Sequence, residues 1–284
     1  MKFSSGWIYL IPALFLLLWN SIIPTLYVAW ASTQRWYLTG LTITYVGLEN
    51  YYRVLKDPTF IFSLGRTFTF MIICIAIEIV FGIVVAFLLL EQFRGNKLLQ
   101  SVISIPFMIP PIAIGATWKL MLLPGRGPVP YLLSSIAGVN FDITTNGLHA
   151  FLAVIIMDVW HWTPFVALFI GAALSAVPLE YVESATVDGA KSYMRFRYVI
   201  LPMIKQQLLL VILLRAMDLF RIFDEVWFLT GGGPGTATSF ISIYLIRQIL
   251  AEWNVGAGSV SSLVLLYVTL MLCWGALLIA RIRR

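Results

Sequence analysis

The stretch TFTFMIICIAIEIVFGIVVAFLLL, Thr67 to Leu90, decides the fold: it is continuously apolar, it does not alternate, and it holds one ionisable residue, Glu78. About 20 apolar residues rising 1.5 Å each cross a hydrocarbon core of ~30 Å. Backbone at that depth must bond to itself, so such a segment is a helix or part of a closed barrel, and the missing alternation selects the helix. Working outward, further runs of this kind lie at about 7–31, 98–123, 148–177, 203–229 and 259–282. The sequence therefore predicts an all-α integral membrane protein with about six transmembrane helices in a single domain covering 1–284.

Composition agrees. Hydrophobic residues make up 60% and charged residues 11% of the chain, against roughly 25% charged in soluble domains, and the mean hydropathy is +0.92. The first run is longer than the ~7–15 apolar residues of a signal peptide, so it is read as a span despite Lys2 before it and Ala29-Trp30-Ala31 within it. The net charge of +6 is not interleaved with aromatics, which argues against nucleic acid. Its placement sets topology instead. Arg94, Lys97, Lys191, Arg195, Arg197 and Lys205 fall on one side with Lys2, Arg281, Arg283 and Arg284. Arg35, Arg53, Lys56, Arg66, Lys119, Arg126 and Arg247 fall on the other. Both termini are thus expected in the cytoplasm. Cys74 and Cys273 lie inside apolar runs and form neither a disulfide framework nor a metal cluster; no cofactor is expected.

The breakers predict loops at 32–65, 124–147 and 231–254, the last with a short helix around Ile241 to Ala251. The segment 178–202 is too long and too patterned for a simple turn. Pro178 can open a helix, Glu180 and Glu183 suit its first turn, and Val182, Ala185 and Thr186 share a face. Gly189 can end the helix with positive φ. A second short helix, 190–201, precedes Pro202. An amphipathic connector and a docking element for a partner both fit this pattern.

Glu183-Ser184-Ala185-Thr186-Val187-Asp188-Gly189-Ala190, followed by Phe196 and Leu201-Pro202, resembles the EAA loop of binding-protein-dependent ABC importer permeases, E-A-A-x-x-D-G-A, five residues, F-x-x-I-x-L-P. Ser184 and Val199 depart from it by small changes. Phe223-Asp224 through Leu229-Thr230-Gly231-Gly232-Gly233-Pro234 is similar to F-D-x-x-x-x-L-T-G-G-G-P of the maltose- and trehalose-type carbohydrate branch, and Pro106 to Pro111 resembles its I-P-x-x-x-P motif. The three occur in order between the spans.

The resemblance implies a type I ABC importer fold and a non-catalytic permease subunit. It would work with a second homologous permease, two cytoplasmic ATP-binding subunits and an extracytoplasmic solute-binding protein to import a sugar. Glu183, Ser184, Ala185, Asp188, Gly189 and Ala190 would form a cytoplasmic coupling helix seated in the ATPase. Gly231 to Gly233 lacks the Lys-Ser/Thr of a phosphate loop, so ATP belongs to another chain.

Ionisable residues within spans are functional candidates by default. Asp158 and His161 lie among Trp160, Trp162 and Phe165, where rings can cover sugar C–H faces and polar groups bind hydroxyls. Alignment on the coupling glutamate puts sugar-contacting positions of the maltose-type permease on Asp158, His161, Trp162 and Phe165. The proline motif adds Phe107 and Pro111, and span five adds Arg215, Leu219 and Ile222. Span five looks closer to trehalose-type permeases, so a disaccharide such as trehalose is the expected substrate. Arg215, Asp218 and Arg221 are spaced for pairing within one helix, and Glu78 has no evident partner. The alternatives are an ion-coupled carrier using Glu78 or Asp158, and a membrane enzyme using His161 and Asp158.

Overall fold

The computed structural model describes residues 6–40, 42–91 and 94–282; Lys2, Arg283 and Arg284, read above as topology markers, lie outside them. The order is α1 (Gly6–Ser32), β1 (Gln34–Arg35), β2 (Thr44–Tyr45), α2 (Glu49–Lys56), α3 (Pro58–Leu90), α4 (Asn96–Met108), α5 (Pro111–Met121), α6 (Pro128–Ala137) and α7 (Gly147–Ser175). There follow α8 (Leu179–Val187), α9 (Ser192–Arg195), a π-helical turn (Phe196–Ile200), α10 (Leu201–Leu219), α11 (Asp224–Leu229), α12 (Ile241–Leu250) and α13 (Val255–Ile282). Among the described residues five helices are long and apolar enough to cross a membrane, or six if the bent pair α4 and α5 is one span. The protein is a multi-pass, helical membrane protein.

Four expectations need correction. The second span starts earlier than 67, because Pro58 occupies the first turn of α3 and Asp57 Oδ1 accepts the Thr59 N–H at 2.8 Å; a proline costs nothing there. The third span is not continuous: α4 and α5 meet at 93°. Each residue before a proline is driven to extended backbone, and Ile109 (ψ 133°) and Pro110 (ψ 138°) obey in succession. The region 124–147 holds α6, opened by Pro128 and closed by Gly138 at φ +64°. The fifth span ends at Leu219 rather than 229; residues 220–223 break it before α11. The short helix α12 lies where it was expected.

The chain divides into two compact units. One comprises residues 1–62 and 244–268. In it the short β1–β2 hairpin pairs Gln34 with Tyr45, and Asn50 donates to the carbonyls of Ser32 (2.9 Å) and Gln34 (2.7 Å). Tyr244 donates to Asp57 at 2.6 Å, and Asn254 caps α13 by accepting from Ala257 N–H. Helix α1 leaves its large apolar side chains exposed, as suits a surface facing lipid or another apolar chain.

The other unit, 63–243 and 269–284, is centred on α7. Asn146 caps that helix through the amides of Leu148 and His149. Ala86, Val166, Ile170, Ala173, Ile204 and Val211 bring α3, α7 and α10 together. Lipid tails are as apolar as these residues, so close van der Waals fit over small side chains holds the helices. The approach of α5 to α11 is closest at Gly115, where a Cβ would fall inside the backbone of Glu225. After the glycine run, Thr230 and Thr238 share a hydrogen bond of 2.6 Å, and Thr238 donates to the Gly233 carbonyl.

Candidate functional site

Helices α3, α7 and α10 each bring charge into the interior of the second unit. Arg215 on α10 is 1% exposed, Glu78 on α3 is 0% and Asp158 on α7 is 1%. Arg215 grips Glu78 with two bonds, Nε to Oε2 and Nη2 to Oε1, both 2.7 Å. The same Nη2 donates to Asp158 Oδ2 at 2.8 Å, and Nη1 donates to Asp218 Oδ2 at 2.7 Å. A planar guanidinium can serve several carboxylates in fixed directions, which a lysine cannot. Asp218 differs from the others: its side chain is 40% exposed.

Beside this cluster stands an aromatic group. The Arg215 guanidinium lies 4.5 Å over the Trp162 ring, a cation–π contact. Trp162, Phe107 and Phe165 surround one another, with centroids 5.5 Å (Phe107–Trp162), 5.3 Å (Phe107–Phe165) and 5.8 Å (Trp162–Phe165) apart. Phe107 retains 36% exposure, and Trp162 and Phe165 are half-buried. His161 contacts Trp162 at 5.2 Å, and the carbonyl of Ile109, freed by the α4–α5 break, lies in bonding range of the imidazole. Four buried polar atoms along this stretch find no partner among the described residues: Asp158 Oδ1, His161 Nδ1, Trp162 Nε1 and Thr163 Oγ1. Native buried polar atoms are nearly always bonded, so these four keep bonding capacity that the chain's own side chains leave unused.

Of the predicted site residues, Phe107, Asp158, His161, Trp162, Phe165 and Arg215 converge. Leu219 and Ile222 are buried apolar residues at the end of α10 and just beyond it. Pro111 starts α5. The expected chain of pairs within one helix is half present. Asp218 pairs with Arg215, but Arg221 is exposed and joins no ion pair among the described residues. Glu78, read as lacking a partner, has the closest grip on Arg215. The signal available was electrostatic: a buried arginine within an apolar span seeks carboxylates, and Glu78 is the ionisable residue of span two. A cleft of about 630 Å³ opens on another face of α7, lined by Phe81, Val102, Pro106, Ile156, Val159 and Trp160 among others. It is almost wholly apolar and does not include the charge cluster.

On the segment after α7, α8 ends as the sequence predicts. Gly189 takes φ +77°, its N–H donates to Thr186 O at 3.0 Å, and Ala190 N–H donates to Ala185 O at 2.9 Å, the paired closing bonds of a Schellman motif. Arg195 Nη1 donates to Thr186 Oγ1 at 2.6 Å and ties α9 back to α8. Of the three residues read as sharing one face, Thr186 is exposed. Val182 and Ala185 are half-buried, while Glu180, Glu183, Ser184 and Val187 (88%) are exposed on the opposite side of α8. The small residues seat α8 on its own chain. The predicted second helix does not stop at 201: α9, the π-helical turn and α10 form one helical run from Ser192 to Leu219.

The profile of the family described as "Binding-protein-dependent transport system inner membrane component" matches residues 78–284. The chain is 33% identical over 253 residues to the trehalose/maltose transport system permease protein MalF of Thermococcus litoralis, covering 89% of this chain and 86% of the relative. It is 33% identical over 256 residues to the trehalose transport system permease protein SugA of Mycobacterium tuberculosis, covering 89% and 81%. In fold it is similar to a chain of a bacterial ABC transporter involved in the import of the acidic polysaccharide alginate, with TM-score 0.83, 20% identity, and 97% and 94% of the two chains covered. With a family match over most of its length and relatives of this identity along nearly all of it, the chain belongs to the inner membrane components of binding-protein-dependent transport systems, as a non-catalytic permease subunit.

Proposed function

We propose that this protein is the permease subunit of an ATP-driven ABC importer for a disaccharide such as trehalose, and that it acts as one permease domain forming half of the translocation pathway. A second, homologous permease would supply the other half, two ATP-binding subunits the motor, and an extracytoplasmic binding protein the sugar. The observation that carries this reading is the helical run from Ser192 to Leu219. One end is tied to the exposed acidic helix α8 through Arg195 and Thr186, and the other bears Arg215 and Asp218. Displacement of α8 by a motor would move the site residues with it, since a rigid helix transmits motion between two discrete arrangements.

Glu183 forms no ion pair among the described residues and is available to a basic partner residue, and Val187 adds apolar surface beside it. This assignment puts α8 and both termini on the cytoplasmic side, in line with the Lys/Arg bias. The sugar half of the reading is supported by the ring triad Phe107, Trp162 and Phe165 next to the unpartnered atoms of Asp158, His161 and Trp162. Rings take a pyranose C–H face, and the open polar atoms take hydroxyls. The relatives named for trehalose and maltose support that class of substrate.

The test is uptake of labelled trehalose and maltose into vesicles holding the reconstituted complex and its binding protein. Uptake should require internal ATP and survive a protonophore. Uptake that persists without ATP and collapses with the proton gradient would instead identify an ion-coupled carrier built on Glu78 and Asp158.

A further inference from the structure

The charge balance of the site carries a statement about substrate charge, and it rests on the sugar reading above. Arg215 is the basic residue inside the cluster, and four of its five N–H donors are spent on Glu78, Asp158 and Asp218. One guanidinium faces three carboxylates, which leaves two negative charges unneutralised when all are ionised; one bound proton would still leave an excess. The neighbours do not reverse this. Glu225, buried on α11, and exposed Asp224 add carboxylates, Arg221 returns one cation from an exposed position, and His161 presents a bare nitrogen. The part of this set that keeps exposed surface is a carboxylate, Asp218, linked through Arg215 to Trp162, which packs on the ring of Phe107. Asp158 Oδ1 is buried and takes no hydrogen bond among the described residues, so it adds carboxylate charge behind Asp218.

We infer that the site admits uncharged or cationic sugars and turns away anionic ones, with Asp218 as the residue that enforces the choice and Glu78 as the residue that positions it through Arg215. A sugar carboxylate or phosphate finds four of the five Arg215 N–H groups already bonded and, even with the exposed Arg221 counted, meets an excess of like charge, whereas hydroxyl and ammonium donors meet the partly exposed Asp218 carboxylate. Glu78 acts at one remove. Its two bonds fix the guanidinium plane, and that plane aims Nη1 at Asp218 and the cationic face at Trp162.

The experiment is titration calorimetry on the purified permease–ATPase complex without its binding protein, so that the permease alone discriminates. Three probes of one shape are compared: trehalose, its 6-amino-6-deoxy derivative, and trehalose with one primary alcohol oxidised to the carboxylate. The carboxylate should bind at least about tenfold more weakly than trehalose, and the amine no more weakly, with the gap shrinking in high salt. Asp218→Asn, at a partly exposed position, should narrow the carboxylate-to-trehalose ratio at least about threefold. Glu78→Gln should narrow it in the same direction, whereas a purely structural role would change all three affinities alike. Equal affinities in the natural protein, or a ratio unmoved by Asp218→Asn, overturns the inference. Absence of binding by all three overturns the sugar reading and this inference with it.

Discussion

A guanidinium with 1% of its surface exposed has lost nearly all of its water, and only its carboxylate partners make that position tolerable. Removing one member of a buried ion pair costs about 3–5 kcal/mol, because the charges left behind stay buried. Arg215→Ala should therefore lower the thermal midpoint of the detergent-purified complex sharply, and Arg215→Lys should recover little, since an ammonium cannot reach Glu78 in two bonds and also hold Asp158 and Asp218. An Arg215→Ala protein with an unchanged midpoint would show that the cluster does not hold α3, α7 and α10 together. Trp162→Ala should weaken sugar affinity through the loss of a stacking face, by about 1 kcal/mol or more, read from the dissociation constant of the complex. Asp142, exposed ahead of α7, has its pKa lowered to about 2 by hydrogen bonds from the Thr144 and Thr145 side chains and amides. A depressed carboxylate gives its stabilisation above the unfolded value near 3.8 and loses it as the pH falls through the folded one. Amide exchange at Thr144 should thus be slow at neutral pH and accelerate, relative to the intrinsic rate, only in strong acid. The residue types at the site were legible in the sequence; the Glu78–Arg215 pair was not, because a contact across 137 residues leaves no periodicity to read.

At the scale of elements, the end of α8 is the place where one backbone angle matters most. A non-glycine residue in the left-handed region costs roughly 1–2 kcal/mol, and a proline at 189 would in addition lack the N–H that now bonds to Thr186. Gly189→Ala should reduce uptake measurably, and Gly189→Pro should abolish uptake-coupled ATP hydrolysis while the membrane helices still assemble; normal uptake by Gly189→Pro would remove the turn from the coupling path. The π-helical turn Phe196–Ile200 sits between α9 and α10, and Phe196 meets Phe87 of α3 edge to face at 5.8 Å. Phe196→Ala should leave assembly intact and lower the sugar moved per ATP hydrolysed. The elements were readable where local chemistry is decisive, as at Gly189, Asn146 and Pro58. They were misread where two local signals compete. Pro110-Pro111 sits inside an apolar run long enough to span, and the run was weighted above the steric rule that bends it. Likewise the small residues Val182 and Ala185 marked the interacting face of α8 correctly, but periodicity does not say whether the chain itself or a partner lies against it.

At the scale of the molecule, the apolar excess that identified a membrane protein also leaves much of its surface without a partner in the chain. Helix α1 exposes Tyr9, Leu17, Leu26 and other large side chains along its length, and at the site Phe107 and Asp218 each keep part of their surface exposed. A subunit that builds half a pathway is expected to have both features, one facing lipid or a neighbouring chain and the other facing its counterpart. The central claim is that α8 is held by a cytoplasmic ATPase and moves the site through α10. Its most direct test is a photo-crosslinker introduced at Val187, the exposed last residue of α8, in the whole importer within sealed vesicles of known orientation. The account predicts crosslinking to the ATP-binding subunit, with a yield that changes when ATP is bound. Crosslinking to the binding protein, or modification of this position from the outer side of the membrane, would contradict it.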